Sequence, residues 1–431
     1  MTNSTDPPRR PYVLGLRRLP ELDRDRPLPD SDPQLVGRIS DEIRTSGPMT
    51  FARFMELALY DPEAGYYTGG ATGPGRHGDF LTAPEGHPIF GWAIARHLEA
   101  VWMALDRPAR FVVREHGAGS GALAAGILDG LRRSKSPLLD AIAYQAADVA
   151  QARLDALVER LSADGFAAKL EAFDASPAPG AIIANELLDA LPVHRVEGAA
   201  NGELLERFVA RADSPDPAGP FTTILGPPSS GALAARLSSE GVSLAPGQPA
   251  EICLAIDGWL ADAVEPLERG ELLLIDYGYP AAELYAPARG STLRAYHRHR
   301  VHADPLVAIG RQDLTAHVDL TAVERAATAA RLEPLARTTQ AQFLADLGAG
   351  DLLVALQTDP GSDLASYMEA RSALMRMLDP RATGAFAVLA FGRGLPANGW
   401  FGTATRPASR GHGNLGGDRQ PEHKAITGPD R

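Results

Sequence analysis

The sequence predicts an α/β protein, a Rossmann-like and mainly parallel sheet covered by helices on both faces, with a helical cap before it and additions inside and after it. Three observations carry this. From Phe111 onward, short apolar runs alternate with amphipathic ones, the rhythm of strand–helix–strand units. The stretch "REHGAGSGAL" at 114–123 sets Gly117, Gly119 and Gly121 between an apolar run and a helical one. Two further apolar runs, "AIIANE" and "ELLLIDYG", end in polar residues, as strands do when ligands bind at the carboxyl edge of a parallel sheet.

Taken in order, residues 1–33 are rich in Pro, Arg and Asp and read as a flexible tail. Residues 34–108 read as an N-terminal cap. "LVGRISDEIRTSG" and "MTFARFMELALYD" have helical spacing, with Thr50 placed to cap the second, and "GWAIARHLEAVWMAL" is a third helix. Between them lies a glycine-rich loop from "GYYTGG" to "GRHGDFLTAP". The core spans 109–290: "FVVREH" as a strand, a helix from the glycine turn to about Arg133, then "AYQAAD" with "VAQARLDALVERLSA", "AIIANE", and "ELLLIDYG" after the helix "EICLAIDGWLADAVEPL". Residues 198–250 interrupt it with Gly, Pro and Ser and read as added strands and loops. A C-terminal part, 291–395, carries a helix around 363–378 and a last strand "AFAVLAFG"; 396–431 reads as a second tail.

Composition narrows the function. The chain has 431 residues and a formal charge of −12, a poor match to a phosphate backbone, so no nucleic acid is expected. No apolar run approaches the roughly 18 residues of a membrane span. A single cysteine, Cys253, excludes an intrachain disulfide and a cysteine-rich zinc site and fits a reducing compartment. The N-terminus lacks an apolar signal region and mixes Arg with acids, so the expected location is cytoplasmic. Cys253 itself sits in a stretch read as helical and is expected to be a buried structural thiol.

A strand, a tight glycine turn and a helix make an anion or nucleotide site, because glycine lets backbone N–H groups approach a ligand closely. The pattern G-x-G-x-G is neither the dinucleotide fingerprint nor a P-loop, and no Lys follows it, so a triphosphate is not expected. Asp148, 27 residues beyond Gly121, ends the second strand, where an acid accepts from ribose hydroxyls; it could also cap the next helix. In "IIANELLDALPVHR", Asn185, Glu186 and Asp189 stand at the strand's carboxyl end. If a helix starts there, Glu186 and Asp189 share a face and suit a cationic substrate or proton abstraction; the alternative is two acids favoured by a helix start.

With these residues the chain resembles the MidA-like family of S-adenosylmethionine-dependent methyltransferases, over roughly residues 35–395. "GDFLTAPE" at 78–85, "NELLDALPVHR", "LLIDYG" at 273–278, "STLRAYHRHRVHADPL" and "QDLTAHVDLTAV" carry the resemblance. The chain departs from the family in having Asp148 for Glu, Ala118-Gly119-Ser120-Gly121 for a Pro-Gly-Arg-Gly type turn, and His87-Pro88 for Ser-Gln. The resemblance implies a class I methyltransferase sheet, S-adenosyl-L-methionine as cofactor, and methylation of an arginine on a partner protein, in the family's case one linked to respiratory-complex assembly. Expected cofactor contacts are Glu115, Gly117, Gly119, Gly121, Asp148 and Asn185, with Gly78, Asp79 and Thr82 from "GDFLTAPE". Expected catalytic residues are Glu186, Asp189 and His317. A cofactor-binding assembly chaperone without turnover is the alternative; a nicotinamide oxidoreductase fits the glycine spacing less well.

The remaining polar residues add little. His317 and Asp319 in "TAHVDL" alternate, so as a strand they share a face and read as a polar pair lining the substrate cleft. A third ligand is not identifiable, so no metal is expected. "YHRHRVH" at 296–302 reads as a local salt-bridge region. Tyr66 and Tyr67 either face a cation or pack among the N-terminal helices.

Overall fold

The structure, a computed structural model, describes residues 28–69, 82–216, 219–298, 300–359, 361 and 363–395. Seven strands form the main sheet: β1 Phe111–His116, β2 Ile142–Ala147, β3 Leu170–Glu171, β4 Ala178–Asn185, β5 Leu267–Asp276, β6 Glu333–Thr339 and β7 Ala387–Arg393. Their order is β3-β2-β1-β4-β5-β7-β6. β1 to β5 are parallel, while β7 runs antiparallel to both β5 and β6. The order reverses between β1 and β4. The crevice outside the carboxyl ends of those two strands is where a doubly wound sheet takes its ligand.

Both faces of the sheet are apolar, as parallel sheets require. On one face, Phe111, Val113, Ile183 and Leu273 pack under helices Ile89–Ala104 and Ala122–Ser134 and the C-terminal helices. On the other, Ile182, Leu272 and Leu274 meet helices Ala255–Val264 and Leu320–Ala329.

Part of that second face, around Arg114 on β1, is crossed by a loop. β3 passes to β4 through residues 172–177 alone, six residues where a parallel crossover ordinarily needs a dozen or more. The buried side chain of Arg114 ties this loop to the sheet. Its guanidinium donates to Gln145 Oε1 at 3.1 Å, to the carbonyls of Asp174 and Ser176 at 3.0 and 2.8 Å, and to that of Pro266 at 3.1 Å. A loop crossing a sheet face leaves carbonyls without backbone partners, and one rigid fork of five donors serves two of them and joins Ala178 N–H on the Pro266 carbonyl.

A second sheet stands beside the first. Strands His194–Gly198, Leu204–Asp216, Gly219–Gly226 and Pro249–Ile252 pair antiparallel, and Met49–Thr50 joins Leu204–Asp216. Helices Pro33–Ser46 and Phe51–Tyr60 pack on this sheet through Leu35, Ile39, Phe51 and Phe54 against Val209 and Phe221. The segment read as one N-terminal cap therefore divides: residues 33–60 serve the second sheet, and helix Ile89–Ala104 serves the main one. Thr50 caps its helix, Oγ1 accepting from Arg53 N–H at 3.1 Å. Residues 28–32, read as part of a tail, are tied down. Asp32 caps helix Pro33–Ser46 and its N–H donates to the Ile309 carbonyl at 2.8 Å.

Two local readings are corrected. "EICLAIDGWLADAVEPL" is not one helix: strand Pro249–Ile252 takes its start, and the helix begins at Ala255. Cys253 lies between the two, its thiol pushed up to about 11 by burial. Among the described residues no helix is long and apolar enough to cross a membrane.

The Arg114 plug predicts that Arg114→Met, close in volume, destabilises the fold by about 3 kcal/mol, since it strips several charge-assisted bonds at once. Urea unfolding should show a lower midpoint; an unchanged midpoint would mean that water serves these carbonyls as well.

Candidate functional site

The glycine turn closes the carboxyl end of β1. Gly117 and Ala118 N–H both donate to the Ala147 carbonyl, at 2.8 and 3.1 Å, which folds the turn back on β2. Gly117, Gly119 and Gly121 all have positive φ, +71°, +53° and +78°. Two of them are needed for packing: a Cβ at Gly117 would lie 2.8 Å from Leu187 Cδ1, and one at Gly121 would lie 2.6 Å from Leu157 Cγ. At Gly119 the same Cβ would meet nothing within 4 Å. Gly119 is therefore small for the sake of its conformation and of the open space before it.

Asp148 supports this turn. Its Oδ2 accepts from Gly119 N–H at 2.9 Å and its Oδ1 from Ala150 N–H at 3.0 Å. It does not cap helix Gln151–Ala163, whose N-cap is Ala150. A carboxylate has about four acceptor sites, so two remain for hydroxyl groups. Glu115 points elsewhere. It is 4% exposed, accepts from the Tyr144 hydroxyl at 2.5 Å, and is pushed up to about 8 by burial. It lies under the turn rather than open beside it. Gly78 and Asp79 fall outside the described residues. Thr82 is the N-cap of the short helix Ala83–Gly86, with no side-chain cap bond.

The acids lie one strand away. After Asn185 the chain does not enter an α-helix. Glu186 takes φ +52°, and a single 3₁₀ turn, Leu188–Ala190, follows. The cause is Asp276 at the end of β5. Its Oδ2 accepts from the backbone N–H groups of Leu187, Leu188 and Asp189 at 3.2, 2.8 and 3.2 Å, and its Oδ1 from Tyr277 N–H at 2.8 Å. One buried carboxylate thus gathers the donors a helix start would leave open. Glu186 and Asp189 are brought together by this turn rather than by helical spacing.

Their surroundings disfavour negative charge. Burial, then the charge of Asp189, pushes Glu186 up to about 8, against hydrogen bonds from the Asn185 amide (3.2 Å) and the Ala83 N–H. Burial pushes Asp189 up to about 6, although the Tyr277 hydroxyl donates to its Oδ2 at 2.6 Å. Asp276 is held well above the carboxylate range by burial and by Asp189. Asp189 Oδ1 and Asn185 Oδ1 are buried without a hydrogen-bond partner. Such acceptors are open to a donor from water or from a ligand.

Two tyrosines from the N-terminal helix Phe51–Tyr60 and the segment after it reach this region. Tyr60 stacks on Tyr67 with centroids 5.6 Å apart; the Tyr60 hydroxyl donates to the Ala190 carbonyl at 2.9 Å, and the Tyr67 hydroxyl to Asp313 Oδ1 at 2.8 Å. Of the two tyrosines singled out in the sequence, Tyr66 is core, at 1% exposure, and Tyr67 has the chain's own Arg153 over its ring.

His317 and Asp319 do not form a pair. The strand there is two residues long, Val318–Asp319, and Asp319 turns to cap helix Leu320–Ala329 through Thr321 and Ala322 N–H. His317 packs edge-on against Tyr277 at 5.3 Å and beside Tyr279 at 5.5 Å. Burial and the nearby Arg289 and Arg294 push it down to about 4, so it is neutral and a weak base. Among the described residues no group of three or more His, Cys, Asp or Glu side chains is arranged to hold a metal. Asp276, Tyr277, Tyr60 and Asp313 had not been singled out from the sequence. Asp276 carried a signal: "LLIDYG" ends in an acid at the same sheet edge as "IIANE".

This arrangement has relatives. A family model described as S-adenosyl-L-methionine-dependent methyltransferase matches residues 93–337. A crystal structure of a Burkholderia thailandensis protein bound to S-adenosyl-homocysteine superposes with a TM-score of 0.75 at 35% identity, covering 88% of this chain and 98% of that one. The chain is 29% identical to the Drosophila melanogaster mitochondrial protein arginine methyltransferase NDUFAF7 homolog, over 74% of this chain and 77% of that protein, and 26% identical to the human NDUFAF7 protein, over 71% of each. The cytoplasmic expectation is overturned here, because these relatives are named mitochondrial. Charge and cysteine content report on partners and redox state, and neither tells one reducing compartment from another.

Two outcomes are expected. Gly119→Val should fold and lose S-adenosyl-homocysteine binding by calorimetry, because the new side chain fills the open space before the turn; wild-type affinity in the folded variant would remove the turn from the cofactor site. Glu186→Gln should be more stable than wild type at alkaline pH. The folded-state value of Glu186, about 8, lies above the ordinary 4.5, so its ionisation weakens the fold as pH rises from 4.5 to 8. The gain in melting temperature should be about 2–4 °C at pH 8 and vanish near pH 4.5. A gain independent of pH would place Glu186 in water.

Proposed function

The chain belongs to this family of S-adenosylmethionine-dependent methyltransferases, and from that premise we propose that it methylates an arginine side chain on a partner protein. The observation that carries the acceptor class is the buried acid group. Glu186 lies close enough to Asp189 to feel its charge, and the Oδ1 atoms of Asp189 and Asn185 have no hydrogen-bond partner. A guanidinium brings five N–H donors and a positive charge, matching both lacks at once. The relatives named protein arginine methyltransferases agree with this reading. The family resemblance points to a respiratory-complex subunit as the partner.

The cofactor supplies a methyl group already activated on a sulfonium. In our reading Gly119 gives it room, and Asp148 has acceptor sites left for its ribose hydroxyls. The chain's remaining task is to hold the acceptor and manage its proton. A guanidinium has a pKa above about 12 and no free lone pair, so a base must take a proton during or after transfer. Glu186, at about 8 in the acceptor-free site, is a stronger base than an ordinary carboxylate. Asp189, braced by Tyr277, orients the guanidinium plane. His317 is neutral and serves as a wall.

The test is the initial rate of methyl transfer from tritiated S-adenosylmethionine into the protein fraction of an extract from cells lacking this chain, with mass spectrometry of the labelled residue. Glu186→Gln should bind S-adenosyl-homocysteine normally and lose about 10- to 100-fold in rate, the worth of a charge-assisted bond at the reacting group. Asp189→Asn should act in the same direction, and the double variant should fall short of additivity. Below about pH 8 the wild-type kcat/KM should decline as Glu186 takes up a proton, and Glu186→Gln should lack that limb. Label on lysine or on a small molecule, or a wild-type rate in Glu186→Gln, would overturn the reading.

A further inference from the structure

One four-residue segment touches both the glycine turn and the acids. Helix Ala83–Gly86 presents its first N–H, that of Ala83, to the Glu186 carboxylate. Two residues on, the Glu85 carboxylate accepts from the Ser120 hydroxyl, inside the glycine turn. Arg160, from helix Gln151–Ala163, donates to the same hydroxyl oxygen at 3.1 Å and stands 3.7 Å from the Glu85 carboxylate. The roles are fixed by chemistry: Arg160 has only donors, so the one hydroxyl proton goes to Glu85. Next to Ser120, Gly119 N–H is held by Asp148. A single run of bonds therefore joins Asp148, the turn, Glu85 and Glu186.

A helix this short has little stability of its own. Thr82 gives it no side-chain cap. Its place must come from tertiary ties, the burial of Ala83 and Pro84 and the Glu85 link. We propose that Glu85 is a positioning residue for methyl transfer: by locking segment 83–86 onto Ser120 it sets the Ala83 N–H on Glu186, and so holds the acceptor's acid in register with the cofactor turn. This rests on the role given to Glu186 above. Glu85 and Arg160 line a cavity of about 630 Å³ that also borders Pro84 and Ala122. Water can therefore enter when Glu85 is shortened, and the variant should remain folded.

The test compares Glu85→Ala, Glu85→Gln, Ser120→Ala and Glu186→Gln in the tritium assay across pH, with S-adenosyl-homocysteine calorimetry alongside. Glu85→Ala should lose about tenfold in rate, the usual scale for misplacement of a reacting group. Its cofactor affinity should stay within about threefold, less than one hydrogen bond's worth. The acid limb should move to higher pH, because Glu186 loses a donor to its charged form. Glu85→Gln should recover most of the rate, since its amide oxygen still accepts from Ser120. Ser120→Ala, which cuts the same link without touching a charge, should copy Glu85→Ala and covers the case where that variant misfolds. An unmoved acid limb in both Glu85→Ala and Ser120→Ala overturns the proposal, whether the rate is kept or falls together with cofactor affinity. If Glu186→Gln is impaired while Glu85→Ala is not, this proposal alone fails. If Glu186→Gln is normal, the reading of Glu186 fails first.

Discussion

The Asp276 carboxylate is the constraint on which the site depends. It sits at the end of β5 and collects three successive N–H groups from the segment leaving β4, plus the N–H of its own neighbour. Those bonds oblige Glu186 to take a left-handed conformation and curl residues 188–190 into one tight turn. Without them the chain after Asn185 would be free to continue as a helix, its acids spread along a solvated face. With them, Glu186 and Asp189 stand close together among buried surroundings that make each reluctant to ionise. The site thus holds an arrangement that is unfavourable to charge, and under the proposed function a guanidinium would relieve it.

Segments outside the main sheet hold the same turn. Tyr60 and Tyr67 reach the site from the N-terminal helices and the loop after them, Asp313 from beyond β5, and all converge on the turn that Asp276 organises. The Tyr60 hydroxyl lands on the Ala190 carbonyl and the Ala316 N–H on that of Asp189, so the turn is fixed from two further directions. This redundancy fits a group that must be held within a fraction of an ångström to react.

What could be read from the sequence was local. Gly117, Gly119, Gly121 and Asp148 announced themselves because a strand, a turn and a helix lie within a few dozen residues and each needs its own residue types. Glu186 and Asp189 were found for the right edge but the wrong geometry: the spacing suggested a helix, and a carboxylate 87 residues away imposed a turn instead. Alternation misled at His317 and Asp319, because two residues of strand are too few to define a face before a helix cap takes over. Glu115 lies at the expected strand end yet faces Tyr144 beneath the turn, since side chains alternate and the next residue has the other face. Tyr60 offered no signal, and Asp313 only its place in "QDLTAHVDLTAV", their meaning being a matter of which distant segments meet.

The six-residue crossover under Arg114 has a consequence for descent. A covering helix can drift by small steps, one methyl group at a time, with many residues sharing the load. A polar plug cannot. The carbonyls of Asp174, Ser176 and Pro266 all converge on one guanidinium, and no other side chain offers an intermediate with the same fork. Lengthening the loop into a helix before Arg114 is lost, or losing Arg114 before the loop lengthens, leaves either a buried charge or bare carbonyls. The two states are separated by a valley rather than a slope, so a lineage that has entered one is held there, and the short crossover should behave as a heritable marker of ancestry more durable than the loops around the site.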